Sequence, residues 1–280
     1  MLYRFTGRLI SSALLVFLLA SSLAAQSVPA SASDQTTPDN SSTETQATVS
    51  SAQPPLQLPT LKKDDFFTKG FVHQLMSDQK TIWTSPAHIK KSDAKWLVPL
   101  VGGTAVLLKE DTAISDHFEG KTSLANTSNK ISNVGLYSTW AVPGAFLAFG
   151  KLGGNEHMVD TGEKGFQAAI YSTVVMQALK ALTNRTRPLD GGNGSFFNGG
   201  SSFPSGHSME AWALAKVISD EYPNKRFVKI GMYSFATAIS LSRITSEHHY
   251  ASDVLVGSAL GYMIGNFVMR DHHHAAAAAQ

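Results

Sequence analysis

Residues 203–222 read FPSGHSMEAWALAKVISDEY, and most of the architecture follows from them. Apolar residues over Ser208–Tyr222 recur at helical rather than alternating spacing. Ser205 stands where an N-cap belongs, and Gly206 lets the backbone approach a ligand closely. Five more segments read the same way, at Trp96–Leu108, Val134–Leu152, Phe166–Leu182, Phe227–Ile244 and Val254–Met269. Strand-like alternation bounded by turn residues is scarce. The expectation is an all-α fold, a single helical bundle of about six core helices. Upstream, Phe66, Phe67, Phe71, Val72, Leu75 and Met76 recur at helical spacing and predict an amphipathic helix on the bundle or on a membrane surface.

Working outward, the N-terminus carries Arg4 and Arg8, an apolar run over Leu9–Ala20 and small residues through Ala25. That order is the layout of a secretory signal peptide over 1–25, the alternative being an uncleaved anchor. Residues 26–60 are rich in Ser, Thr, Gln, Pro and Ala and too poor in apolar side chains to offset ordering entropy, so they read as a disordered linker. Residues 61–270 form the expected domain, and 271–280, with His272, His273 and His274 before five alanines, a disordered tail. The reading is of an exported protein of the cell envelope, periplasmic or membrane-associated on its periplasmic side. The absence of cysteine excludes disulfides, a cysteine zinc site and a lipidated cysteine. A net charge of +2 without a Lys/Arg block argues against nucleic acid as a partner. Gly257, Gly261 and Gly265 lie on one helix face, a pattern that lets two backbones approach in membrane bundles and in soluble crossings alike. A mean hydropathy of -0.05 is low for a chain made of lipid-facing helices.

Three stretches carry candidate chemistry. In the first, Lys180 and Arg187 are seven residues apart, close to two helical turns, with Arg185 directed the other way and Pro188 ending the helix. Its plain reading is a solvated helix end whose cations favour the dipole. In the second, Pro204-Ser205-Gly206-His207 opens a helix whose free amides suit a phosphate; the plain reading is a capped helix. In the third, Asp253 follows His249 by four residues, the spacing at which side chains meet on a helix. A carboxylate there can hold one ring nitrogen as N–H and leave the other as a nucleophile, or the pair can simply satisfy itself. His248, five residues before Asp253, fits that geometry less well.

Taken in order, the three stretches resemble the phosphatidic acid phosphatase type 2 and vanadium haloperoxidase superfamily. Its pattern is K-x6-R-P, P-S-G-H and S-R-x5-H-x3-D, and Lys180–Pro188, Pro204–His207 and Ser242–Asp253 match every element. The resemblance spans roughly residues 165–269 and looks more like the lipid phosphatases than the haloperoxidases or the soluble acid phosphatases. It implies His249 as nucleophile, Asp253 as its orienting carboxylate and His207 as proton donor. It also implies Lys180, Arg187, Ser205, Gly206 and Arg243 as phosphate ligands, with no metal and no cofactor. The implied substrate is a phosphorylated lipid or a small phosphorylated molecule. Between Pro188 and Phe203 a Gly-rich loop carries Phe196 and Phe197, and reads either as a mobile lid or as a plain connector.

Overall fold

The computed structural model describes residues 69–278, with side chains from 72 to 270. All lie in the unit Leu61–Gln280, so the expected signal peptide and linker fall outside the described residues. The elements are α1 (Lys69–Thr84), α2 (Ala94–Asp116), α3 (Thr122–Gly153), α4 (Glu156–Thr183), α5 (Gly206–Glu221), α6 (Arg226–Thr245) and α7 (Ala251–Ala278), with short 3-10 turns between some of them. No strand occurs among the described residues. The all-α expectation holds, with six bundle helices and α1 as a seventh.

Local chemistry sets the ends that matter. The Asn155 side chain accepts the Met158 N–H (3.1 Å) and so caps α4, with Glu156 in its first turn. Asn184 takes the left-handed conformation (φ 43°) and ends α4, its N–H donating to the Lys180 carbonyl (2.9 Å). The helix thus stops before Arg185, earlier than the Pro188 stop read from sequence. Several helices are longer than their apolar segments, because polar turns such as Thr122–Asn133, which buries Ser128 and Ser132, extend α3 beyond its apolar part. Helix α7 continues to Ala278, where disorder is expected from Asp271; alanine, the strongest helix former, fills that end.

Helix α5 is the centre of the bundle, packed by α4, α6 and α7. Its alanines Ala211, Ala213 and Ala215 have no exposed surface, so neighbours approach on several sides. Against it lie Ala168, Tyr171 and Val175 of α4 and Ile264 and Val268 of α7. Each large side chain buried this way contributes about 1.5–3 kcal/mol. The glycine stripe of α7 has a definite role in that packing. A methyl at Gly257 would lie 2.5 Å from the Ser205 carbonyl oxygen, and one at Gly265 would lie 2.6 Å from that of Ala213. At Gly261 it would collide with the Met209 carbonyl. The stripe therefore seats α7 directly on the α5 backbone and brings the two helix starts together, where the Ser205 N–H donates to the Asp253 carbonyl (3.0 Å).

Helix α1 lies on the bundle: Leu75 and Ile82 pack against the α4–α5–α7 core, and the Tyr171 hydroxyl donates to Asp78. Phe66 and Phe67 of the expected amphipathic pattern are outside the described residues. The outer faces expose apolar side chains among charged ones. Val98, Val101 and Val106 of α2, Val134 and Phe149 of α3, and Phe227 of α6 are all exposed. Among the described residues one helix, Ala251–Arg270, is long and apolar enough to cross a membrane by length and composition, and half of it is buried in the bundle.

Candidate active site

The expected site residues converge at one end of the bundle. Lys180 sits in the last turn of α4, Arg187 in the extended chain beyond it, Ser205 to His207 at the start of α5, and Arg243 in the last turn of α6. His249 precedes α7 and Asp253 stands in its first turn. Two sequence arguments assume a geometry that the structure does not have. Lys180 and Arg187 do not share a helix face, because Asn184 breaks α4 between them. They meet through the turn: the Arg187 charge is felt at Lys180. His249 and Asp253 are not on one helix surface either. Their approach, Nδ1 to Oδ2 at 3.7 Å, spans the α7 N-terminus, where the Asp253 carboxylate also accepts the Tyr250 N–H (2.9 Å).

Ser205 occupies the cap position without capping through its side chain; its hydroxyl accepts from Ser208 (3.0 Å). The first amides of α5 are thus left without that partner, as an anion site needs. Arg243 is buried, with Nη1 donating to Ser132 of α3 (2.6 Å). Its Nε, the Nε of Arg187 and Nδ1 of His249 are all buried without a hydrogen-bond partner. Of these, the two arginine donors are cationic, and leaving such groups unpaired is costly unless an anion accepts from them.

The electrostatics follow from that crowding. Burial, then the Arg187 charge, lowers Lys180 to about 8. Burial and Arg187 lower Arg243 to about 10. Burial, then Arg243, His249 and Lys180, hold His207 well below the usual histidine range. Burial brings His249 down to about 3 despite the opposing Asp253 carboxylate. Both rings are therefore neutral at pH 7 with no anion bound. Burial alone would raise Asp253, but His249, Arg185 and Ser202 outweigh it and keep the carboxyl below its ordinary value. A neutral, desolvated imidazole backed by an ionised carboxylate can act as a nucleophile, and a second imidazole among cations can gain a proton once an anion offsets them.

Several residues at the site carry no signal in the motifs. Arg185, directed outward by the helical reading, is 1 % exposed and binds Asp111, Ser252 and Asp253. Asp111 comes from α2 and Ser132 from α3, both far upstream of the motif region. Ser202 donates to the Asp253 carboxylate (2.5 Å). Glu210, three residues after His207, lies buried behind the site. Burial pushes it up to about 7 against hydrogen bonds from Thr173, Thr139 and Trp140. Among the described residues no group of three His, Asp or Glu side chains is arranged to hold a metal ion.

The Gly-rich loop is laced to the chain after α4. The amides of Phe197, Gly200 and Ser202 donate to the carbonyls of Thr183, Asn184 and Arg185 at 2.7, 3.0 and 2.8 Å. Phe196 turns inward, its ring 4.7 Å from the Arg185 guanidinium and 5.6 Å from the Phe203 ring. Phe197, 80 % exposed, is the one that projects.

Residues 166–276 match the PAP2 superfamily. A lipid A 1-phosphatase of Porphyromonas gingivalis is 38 % identical over 65 residues, which is 23 % of this chain and 15 % of that relative. The chain thus spans a small part of the curated relative it matches. Among solved structures, a transmembrane PAP2-type phosphatidylglycerolphosphate phosphatase from Bacillus subtilis is 22 % identical with a TM-score of 0.47, covering 63 % of this chain and 96 % of the other. Aquifex aeolicus LpxE is also 22 % identical, with a TM-score of 0.46 and coverage of 58 % and 94 %. The matched stretch holds Lys180, Arg187, His207, Arg243, His249 and Asp253, so in this part the chain is similar to the PAP2 superfamily.

Proposed function

We propose that the protein is a metal-independent phosphatase that hydrolyses phosphomonoester or diphosphate groups of lipids through a phosphohistidine on His249. The observation that carries this reading is the pair of buried, unpaired donors on Arg187 and Arg243, close enough for their charges to act on Lys180, with His207 of the α5 start under the Arg243 charge. Phosphoryl transfer asks a protein mainly to position groups and to offset charge on the equatorial oxygens. Lys180, Arg187, Arg243 and the amides after Ser205 do so without a divalent ion.

The steps follow from the placement of the side chains. Asp253 faces Nδ1 of His249, leaving Nε2 to attack phosphorus. As the N–P bond forms and the ring becomes cationic, the 3.7 Å gap to Asp253 closes to hydrogen-bond length. The phosphate offsets the cations that keep His207 neutral, so His207 carries a proton and delivers it to the leaving oxygen as the P–O bond breaks. It then takes a proton from water, whose oxygen attacks phosphorus and releases His249.

Exposed apolar faces on α2, α3 and α6 favour a protein that works at a lipid surface. We place it in the cell envelope, on the periplasmic side and associated with the membrane, which suits a lipid substrate. The direct test is phosphate release by the purified protein from lipid and water-soluble phosphates, in detergent, with and without EDTA. The expected result is turnover of lipid phosphates at a rate that EDTA leaves unchanged. Loss of activity on chelation would refute metal independence. Turnover of soluble phosphates alone would replace the lipid substrate by a broad acid phosphatase activity.

Lys180 sets an expected alkaline limit. A lysine lowered to about 8 carries its charge below that pH and loses it above, so kcat/KM should fall as pH rises through about 8. Bound phosphate stabilises the ammonium, so the corresponding fall in kcat should come at higher pH. Lys180→Arg should move the kcat/KM limb upward; a limb that stays in place would assign it to another group.

A further inference from the structure

Three charges are buried together beside the nucleophile: Arg185, Asp111 and Asp253 are each at most 1 % exposed. Removing such charges from water costs several kcal/mol per ion before pairing, so a plain apolar contact would serve stability as well. The pairing is unusually complete. Arg185 Nη2 donates to Asp111 Oδ2 (2.7 Å), Nη1 to Asp253 Oδ1 and to the Ser252 hydroxyl (2.8 Å), and Nε to the Gly194 carbonyl (3.0 Å). The guanidinium also lies over two rings, 4.7 Å from that of Phe196 and 4.4 Å from that of Tyr250. Asp111 in turn accepts the Ser252 N–H (3.0 Å) and hydroxyl, which ties α2 to the start of α7.

The Asp253 carboxylate is therefore oriented by groups other than the histidine it serves. Its Oδ1 is held by Arg185, and its Oδ2 by Ser202 and the Tyr250 N–H, while His249 stands 3.7 Å away. We propose that Arg185, fixed by Asp111, is a positioning residue for the nucleophile. It holds the Asp253 carboxylate, and through it the ring of His249, in line with the phosphate. The cluster explains why a residue of α2 belongs to the site, although the superfamily match begins only at residue 166. This inference rests on the reading of His249 as nucleophile.

Vanadate and inorganic phosphate separate positioning from mere stability. Vanadate mimics the transition state and bonds to the nucleophile, whereas phosphate in the ground state needs chiefly the cations of Lys180, Arg187 and Arg243. Arg185→Lys keeps the charge but loses the fork that reaches both carboxylates. It should lower kcat about 100-fold, the cost of a small misplacement of reacting groups. Asp111→Asn keeps the shape and should lower kcat about tenfold, in the range of lost supporting contacts. In both, KM and the inhibition constant of phosphate should stay within about threefold, while vanadate inhibition weakens in step with kcat. Weakening of phosphate and vanadate together would reduce the cluster to a structural role. A kcat unchanged in both variants would overturn the inference outright. If the wild-type protein released no phosphate from any substrate, the parent reading would fail and this inference with it.

Discussion

His249→Ala is expected to reduce kcat by about five to six orders of magnitude, the loss seen when a nucleophile is removed from an enzyme that forms a covalent intermediate. The neighbouring His248→Ala should cost no more than about tenfold, as for a group outside the reacting set. The two rings are adjacent in sequence yet differently placed. His249 is 2 % exposed with its Nδ1 unpaired and an ionised carboxylate 3.7 Å away. His248 is half-buried, and its Nδ1 already bonds the Ser246 carbonyl (2.8 Å). Burial, then Arg243, also lowers His248 below the usual range, so it brings no standing charge to the site at neutral pH. Steady-state kinetics on the three proteins, with melting curves as folding controls, decides between them. Retained activity in His249→Ala and loss in His248→Ala would shift the catalytic register by one residue.

Arg243→Ala is the second large effect. We expect kcat/KM to fall about 10² to 10³-fold, the cost of removing one preorganised donor from developing negative charge. Stability should move the other way. Arg243 is buried, is lowered to about 10 by burial and by Arg187, and has an Nε with no partner. Its one side-chain hydrogen bond, to Ser132, offsets little of that desolvation. Removing it relieves repulsion in the empty site, so Tm should hold or rise while activity falls. This opposition is the signature of a residue retained for function at the expense of stability. A parallel fall of Tm and activity would make Arg243 a structural residue instead.

The helices were legible because their apolar spacing is strong and the breaks between them are short. Their ends were less so. The left-handed Asn184 and the reach of α7 to Ala278 depend on local choices that the apolar pattern does not encode. The site shows the same division. His207, Arg243, His249 and Asp253 stand out because chemistry ties each to a short motif. Arg185 was readable only as a helix-end cation, since its burial depends on partners from α2, the Gly-rich loop and α7. Asp111 and Ser132 had no sequence signal at all: a single Asp or Ser on a helix becomes informative only when packing brings it to a charge 74 or 111 residues away. The glycines of α7 announced a close crossing but not its partner, which proves to be α5 of the same chain.

The most direct measurement is to quench a single turnover and look for phosphate on the protein. The account predicts an acid-labile, base-stable phosphoryl group on the peptide carrying His249. It should be absent from His249→Ala and should accumulate in His207→Ala when a substrate with a good leaving group is used. A burst of product with no phosphoprotein in the wild type or in His207→Ala, or a phosphoryl group on any other residue, would contradict it.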